Sequence, residues 1–269
     1  MSLINGRKLD HVEISDRGLA YGDGHFTTMK VVDGHVERWE AHLTRLQKGC
    51  LRLGITEPDW SALTVSLQRE IAGIELGCAK VMVTRGSGGR GYSPAGCHDT
   101  RWILTLSPFP DHYPNWQQQG IEVVVCRQRV GDQPMLAGLK TLNRLEQVLL
   151  RQELNDANAV EGVVLNTRNV LVAGVSANLF WRRDKTVFTP DLSHGGIDGV
   201  MRRSVMEMLK EMSIELRTVE APLESLWHAE EVWLTNALMG VVPVTRVAQK
   251  SYSIGAVVRY LQERLLIDV

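Results

Sequence analysis

A chain of 269 residues can bury a sizeable core, as one large domain or as two smaller ones. Thirty Lys and Arg against 31 Asp and Glu leave a formal net charge of -1, so there is no basic field to gather nucleic acid or anionic lipid. No stretch approaches the ~20 apolar residues of a membrane span, and the first residues lack an apolar leader, so a cytoplasmic protein is expected.

In chain order, residues 41–54 place Leu43, Leu46, Cys50, Leu51 and Leu53 on one side of a helix, which Gly54 stops. Strand-like runs follow at 79–84 and 102–106. Three prolines within 107–115 forbid a central strand and predict an extended connection. That connection sets the domain boundaries: a smaller N-terminal α+β domain over 1–110, a proline-containing linker over 111–118, and a larger C-terminal domain over 119–269. The second half opens with an apolar run at 121–126. A helix follows whose stripe runs through Leu142, Leu145, Val148 and Leu149 to Gln152. Short strands centre on Val163, Val170, Leu179 and Val187, and Met201, Val205, Met208, Leu209 and Met212 then recur at helical spacing. Both stripes are read as core packing. Many short strands with few helices give an α+β class rather than an alternating parallel sheet.

Residues 86–91 spell G-x-G-x-x-G directly after a predicted strand. A dinucleotide loop must open a helix whose amides face a pyrophosphate, whereas Tyr92, Ser93, Pro94, Ala95 and Gly96 follow here. The run is therefore either a hairpin loop or a mobile loop offering Arg90 as a carboxylate clamp. Cys50, Cys78, Cys97 and Cys126 are too dispersed for a zinc site and read as reduced thiols. The eight histidines are scattered, and no metal role is assigned to them.

Taken alone, Lys140 is a solvated lysine before a helix. The stretch 137–147, however, resembles the Schiff-base segment of fold-type IV pyridoxal-phosphate enzymes, the family of branched-chain and D-amino acid aminotransferases and aminodeoxychorismate lyases. Other stretches agree in order and spacing. Asp16, Arg17, Gly22, Asp23, Gly24, Phe26, Thr27 and Thr28 look like the family's opening motif. Ala177, Asn178, Leu179 and Phe180 match a family strand, Gly199 to Arg202 match its phosphate-binding loop, and Thr235 to Leu238 match a second phosphate-side turn.

The resemblance implies a two-domain fold with the cofactor in the cleft between domains, a homodimer, and pyridoxal 5'-phosphate on Lys140 of the C-terminal domain. Arg45, Val200, Met201, Asn236 and Ala237 would bind the cofactor, Thr28 would hold the lysine amine, and Arg90 and Tyr92 would meet substrate carboxylates. Within the family the likeness is to the lyase branch, which eliminates pyruvate from aminodeoxychorismate to give 4-aminobenzoate for folate. The alternatives are a branched-chain or D-amino acid aminotransferase, and a cofactor-binding homologue that has lost catalysis. One position departs: Ala173 stands where the family has a glutamate that pairs with the pyridine nitrogen. A weaker electron sink is the expected consequence, and it bears hardest on amino transfer.

Overall fold

The computed structural model describes residues 2–97 and 99–265, so His98 lies outside the described residues. The chain divides into two compact units, one built from residues up to Pro110 with Leu139–Asn143, the other from Asp111–Gly138 with the residues from Arg144 onward. Lys140 thus belongs to the first unit, against the expectation that the C-terminal domain carries it. Among the described residues no helix is long and apolar enough to cross a membrane.

The first unit contains β1 (Ser2–Ile4), β2 (Arg7–Lys8), α1 (Arg17–Tyr21), β3 (Gly24–Val32), β4 (His35–Val36), α2 (Trp39–Leu53), α3 (Trp60–Ile71), β5 (Leu76–Thr84) and β6 (Arg101–Pro108). Its six strands form an antiparallel sheet in the order β2-β1-β6-β5-β3-β4. Side chains alternate across a strand, so β3 buries His25, Thr27, Met29 and Val31 and turns Phe26, Thr28 and Lys30 to the other face. Met29 and Val31 pack with Leu46 and Cys50 of α2, Leu63 and Leu67 of α3, and Val81 and Val83 of β5 in one core. Gly54 ends α2 at φ 60°, its amide closing on the Cys50 and Leu51 carbonyls. Leu51, expected in the buried stripe, is 79% exposed.

The second unit contains α4 (Tyr113–Gln119), β7 (Ile121–Val125), α5 (Leu145–Asp156), β8 (Gly162–Leu165), β9 (Leu171–Gly174), β10 (Asn178–Arg183), β11 (Thr186–Pro190), α6 (Val200–Glu211), β12 (Glu215–Val219), α7 (Glu224–Trp227), β13 (Glu231–Asn236), β14 (Gly240–Val247), β15 (Lys250–Ser251) and α8 (Ala256–Leu265). Its mixed sheet runs β12-β11-β10-β13-β14-β7-β8-β9, with β15 paired to β14. The stretch expected to be an extended linker is partly helical. Pro114 sits in the first turn of α4, where a missing N–H costs nothing. α6 carries its predicted stripe inward, with Met201, Val205 and Leu209 buried.

α5 does not. Leu145, Val148 and Leu149 are 69%, 61% and 48% exposed, while Leu150, Glu153 and Leu154 face the core. Leu142 precedes the helix altogether. The predicted stripe is real in spacing, but its helical members Leu145, Val148 and Leu149 stay largely exposed.

Candidate active site

The segment around Lys140 is fastened to β3. The Phe26 amide donates to the Lys140 carbonyl at 2.9 Å, the Leu142 amide to the Gly24 carbonyl at 3.0 Å, and the Asn143 side-chain amide to the Gly22 carbonyl at 3.0 Å. β4 pairs only with Val31 and Val32, which leaves the Gly24–Phe26 end of that edge for residues 140–142. Lys140 is therefore held like a strand residue, and its Nζ lies 4.5 Å from the centre of the Phe26 ring.

Behind this face, two buried histidines are kept neutral. His42 Nδ1 and Thr27 Oγ1 are 2.6 Å apart. Burial, then the cations Arg45, Arg38 and Lys140, push the His42 imidazole down to about 3. Burial alone pushes His25 down to about 4, and its Nε2 lies 3.4 Å from Cys50 Sγ. Gly49 is required here, because a Cβ would stand 2.5 Å from the His25 ring. The cations that act on His42 are Arg45, Arg38 and Lys140, and Arg38 is paired with Glu37 at 3.1 Å. The Thr28 hydroxyl, in contrast to that of Thr27, makes no hydrogen bond among the described residues.

The charged residues of the opening motif are scaffolding. Arg17 donates to Asp23 Oδ2 at 2.8 Å and to the Gly91 and Tyr92 carbonyls at 3.0 and 3.2 Å. Arg85 donates to the same Asp23 oxygen at 2.8 Å and caps the Leu53 and Gly54 carbonyls. Burial pushes the Asp23 carboxyl up, but Arg85 and Arg17 outweigh it and hold it below the usual range. Asp16 accepts from Gly18, Thr84 and Arg101. The glycine run is thus a hairpin loop, held at its base by Asp16 and Arg101 and near its tip by Arg17, and among the described residues no helix opens between it and β6. Arg90 and Tyr92 stand at its tip. Arg90 is exposed, and Tyr92, 88% exposed, packs its ring 5.5 Å from that of Tyr21.

In the second unit, α6 opens at Gly199 with no side-chain cap, so the Val200 and Met201 amides are among the orphan donors of its first turn. A Cβ on Gly199 would fall 2.1 Å from Asn178 Oδ1, so only glycine allows this close approach. Asn178 in turn donates to the Ile197 carbonyl at 2.8 Å. Arg202 is buried and bonds Asp198 and the Pro190 carbonyl, yet its Nε finds no partner. Asn236 Oδ1 accepts from Leu238 and Met239 at 2.9 Å, folding a turn that leaves the Ala237 amide out of the pair. An uncapped helix start with an orphaned buried guanidinium nitrogen beside it fits a phosphate.

Ala173, on β9 opposite Val164, brings no carboxylate. Glu161 in the same unit is already occupied by the Val175 and Ser176 amides at 2.6 and 3.2 Å and the Ser176 hydroxyl at 2.5 Å.

Sequence reasoning overlooked Lys80. It sits on β5 directly opposite Thr28, and its Nζ lies 4.8 Å from the centre of the same Phe26 ring that Lys140 caps. The signal lay in strand register, which one sequence does not display.

Residues 24–247 match the family described as amino-transferase class IV. The chain is 39% identical to aminodeoxychorismate lyase from Vibrio harveyi over 98% of its own length and 99% of that protein's, and 27% identical to the Bacillus subtilis lyase over 94% and 88%. It superimposes on the crystal structure of 4-amino-4-deoxychorismate lyase from Pseudomonas aeruginosa with a TM-score of 0.94 and 40% identity, covering 100% and 99% of the two chains. The Escherichia coli branched-chain amino acid aminotransferase shares the fold, with a TM-score of 0.87 at 22% identity over 98% and 93%. A strand-held lysine, an uncapped helix start and these whole-length likenesses lead to one conclusion: the chain belongs to the class IV aminotransferase family of pyridoxal-phosphate enzymes.

Proposed function

We propose that this chain is a 4-amino-4-deoxychorismate lyase, which eliminates pyruvate from its substrate and leaves 4-aminobenzoate. The observation that carries the reading is likeness over the whole chain to two lyases at 39% and 40% identity, with Lys140 fastened to β3. Bound pyridoxal phosphate supplies an electron sink for the carbon that bears the substrate's nitrogen.

Lys140 would hold the cofactor and take the proton from that carbon. Its amine must be neutral to do so. Thr28 would hold the amine by a hydrogen bond. Arg45, the Val200, Met201 and Ala237 amides and the Asn236 turn would meet the phosphate. Arg90 and Tyr92, on a loop pinned at its base and exposed at its tip, would meet substrate carboxylates. Aromatisation of the ring drives loss of enolpyruvate, so no reprotonation at the cofactor is needed. Amino transfer does need it, and Ala173 disfavours that route.

We also place the enzyme in the cytoplasm as a homodimer. Four unpaired cysteines fit a reducing compartment. The exposed Leu145, Val148 and Leu149 stripe fits a partner copy.

The deciding assay follows pyruvate released from aminodeoxychorismate, beside keto-acid formation from branched-chain and D-amino acids. Pyruvate release far above keto-acid formation is expected. The reverse ratio makes the chain an aminotransferase.

A further inference from the structure

The buried face of β3 meets α2 in two ways. Met29 and Val31 share an apolar core with Leu46 and Cys50, a contact without direction that resists sliding only weakly. Thr27 and His42 add a directional one. Their Oγ1 and Nδ1 stand 2.6 Å apart, and the two residues are 0% and 1% exposed, so water does not compete for either partner. The neighbouring polar contact, His25 with Cys50, is longer at 3.4 Å and involves a thiol, a weak partner. The bond between Thr27 and His42 is therefore the feature that sets the register of α2 on β3.

Both of its ends lie next to residues of the site, and all of them belong to the first unit. Thr27 follows Phe26, whose amide holds the Lys140 carbonyl at 2.9 Å, and precedes Thr28. His42 lies three residues before Arg45 on the same side of α2, and the Arg45 and Lys140 charges both act on its ring. Neither the Thr27 hydroxyl nor the His42 imidazole has a role in the scheme above. Pyridoxal phosphate carries its aldehyde and its phosphate arm on one rigid ring, so the strand that holds Lys140 and the helix that holds Arg45 must keep one spacing.

We propose that Thr27 and His42 are positioning residues for the cofactor: their hydrogen bond keeps α2 in register on β3, so that Arg45 meets the phosphate while Lys140 meets the aldehyde. This rests on the reading of Arg45 as a phosphate contact.

The test is equilibrium dialysis of the holoenzyme, which gives the cofactor dissociation constant, for wild type, Thr27→Val and Thr27→Ser, with Thr27→Ala standing in should the Val variant fail to fold. Val keeps the shape and loses the hydroxyl, whereas Ser keeps the hydroxyl. Thr27→Val is expected to hold pyridoxal phosphate about 10-fold more weakly, and Thr27→Ser to stay within about 2-fold of wild type. Two further readouts separate positioning from a general loosening of the fold. Pyridoxal, which lacks the phosphate, should bind wild type and Thr27→Val equally, and Thr27→Val should add no further loss in an Arg45→Gln background. No loss in Thr27→Val, a Ser variant as weak as the Val one, a loss for pyridoxal as large as that for pyridoxal phosphate, or losses that add to that of Arg45→Gln each overturn the proposal. Arg45→Gln alone scores the reading of Arg45: an affinity equal to wild type removes the anchor and the proposal together, whereas a loss there with none in Thr27→Val removes the positioning pair alone.

Discussion

At the scale of single residues, the site is shaped by groups that are kept from ionising. His42 holds its imidazole at about 3 within the fold, whereas an unfolded chain would titrate it near 6.5. Between those values the unfolded state binds a proton that the folded state refuses, so the contribution is intact above about pH 7 and shrinks as the pH falls. On its own this amounts to about 3 kcal/mol by pH 4. The urea midpoint of wild type should therefore fall more steeply from pH 7 to pH 4.5 than that of His42→Gln, and parallel slopes would contradict the assignment. Ala173 invites the opposite kind of test, the addition of a charge. Ala173→Glu should leave pyruvate release within a few-fold of wild type and raise amino transfer by about 10-fold, since a carboxylate at the ring nitrogen strengthens the electron sink. Equal gains in both activities would remove the explanation offered for this departure.

Among elements, the glycine-rich loop between β5 and β6 shows how a motif can be legible and its purpose not. Its residues spell a dinucleotide fingerprint, but the helix that chemistry needs is missing, and the following Tyr-Ser-Pro-Ala-Gly already said so. What one sequence could not say is that Arg17, far away in the chain, closes the loop through the Gly91 and Tyr92 carbonyls. Arg17→Met should loosen the tip while Arg85 keeps Asp23 paired, and trypsin should then cut after Arg90 about 10-fold faster. An unchanged cleavage rate would show that Arg17 does not restrain the loop.

The same division between local and distant information runs through the other elements. α2 and α6 are readable because their apolar spacing is local: α6 buries Met201, Val205 and Leu209 as spaced, and α2 buries Leu46 and Cys50 while Leu51 turns outward. α3, with Asp59 capping Ala62 at 2.9 Å, has a comparable start signal that went unread. Lys140 was placed through family resemblance, because its pairing with residues 24–26 joins segments more than 110 residues apart.

For the whole molecule, the instructive misreading is α5. Periodicity states that Leu145, Val148 and Leu149 share a face, and they do, but it does not state what covers that face. We attribute the cover to a second copy. Leu145→Asp with Val148→Lys should leave the monomer fold intact by circular dichroism and shift sedimentation from dimer to monomer at micromolar concentration. A dimer that persists would place the interface elsewhere. The account as a whole depends on one covalent attachment, which can be read directly. Borohydride reduction of the purified yellow protein, followed by tryptic mass spectrometry, is predicted to find the pyridoxyl phosphate mass on the peptide containing Lys140, with loss of the visible band and none in Lys140→Ala. A protein without the adduct, or with it on Lys80 or any other lysine, would contradict the account.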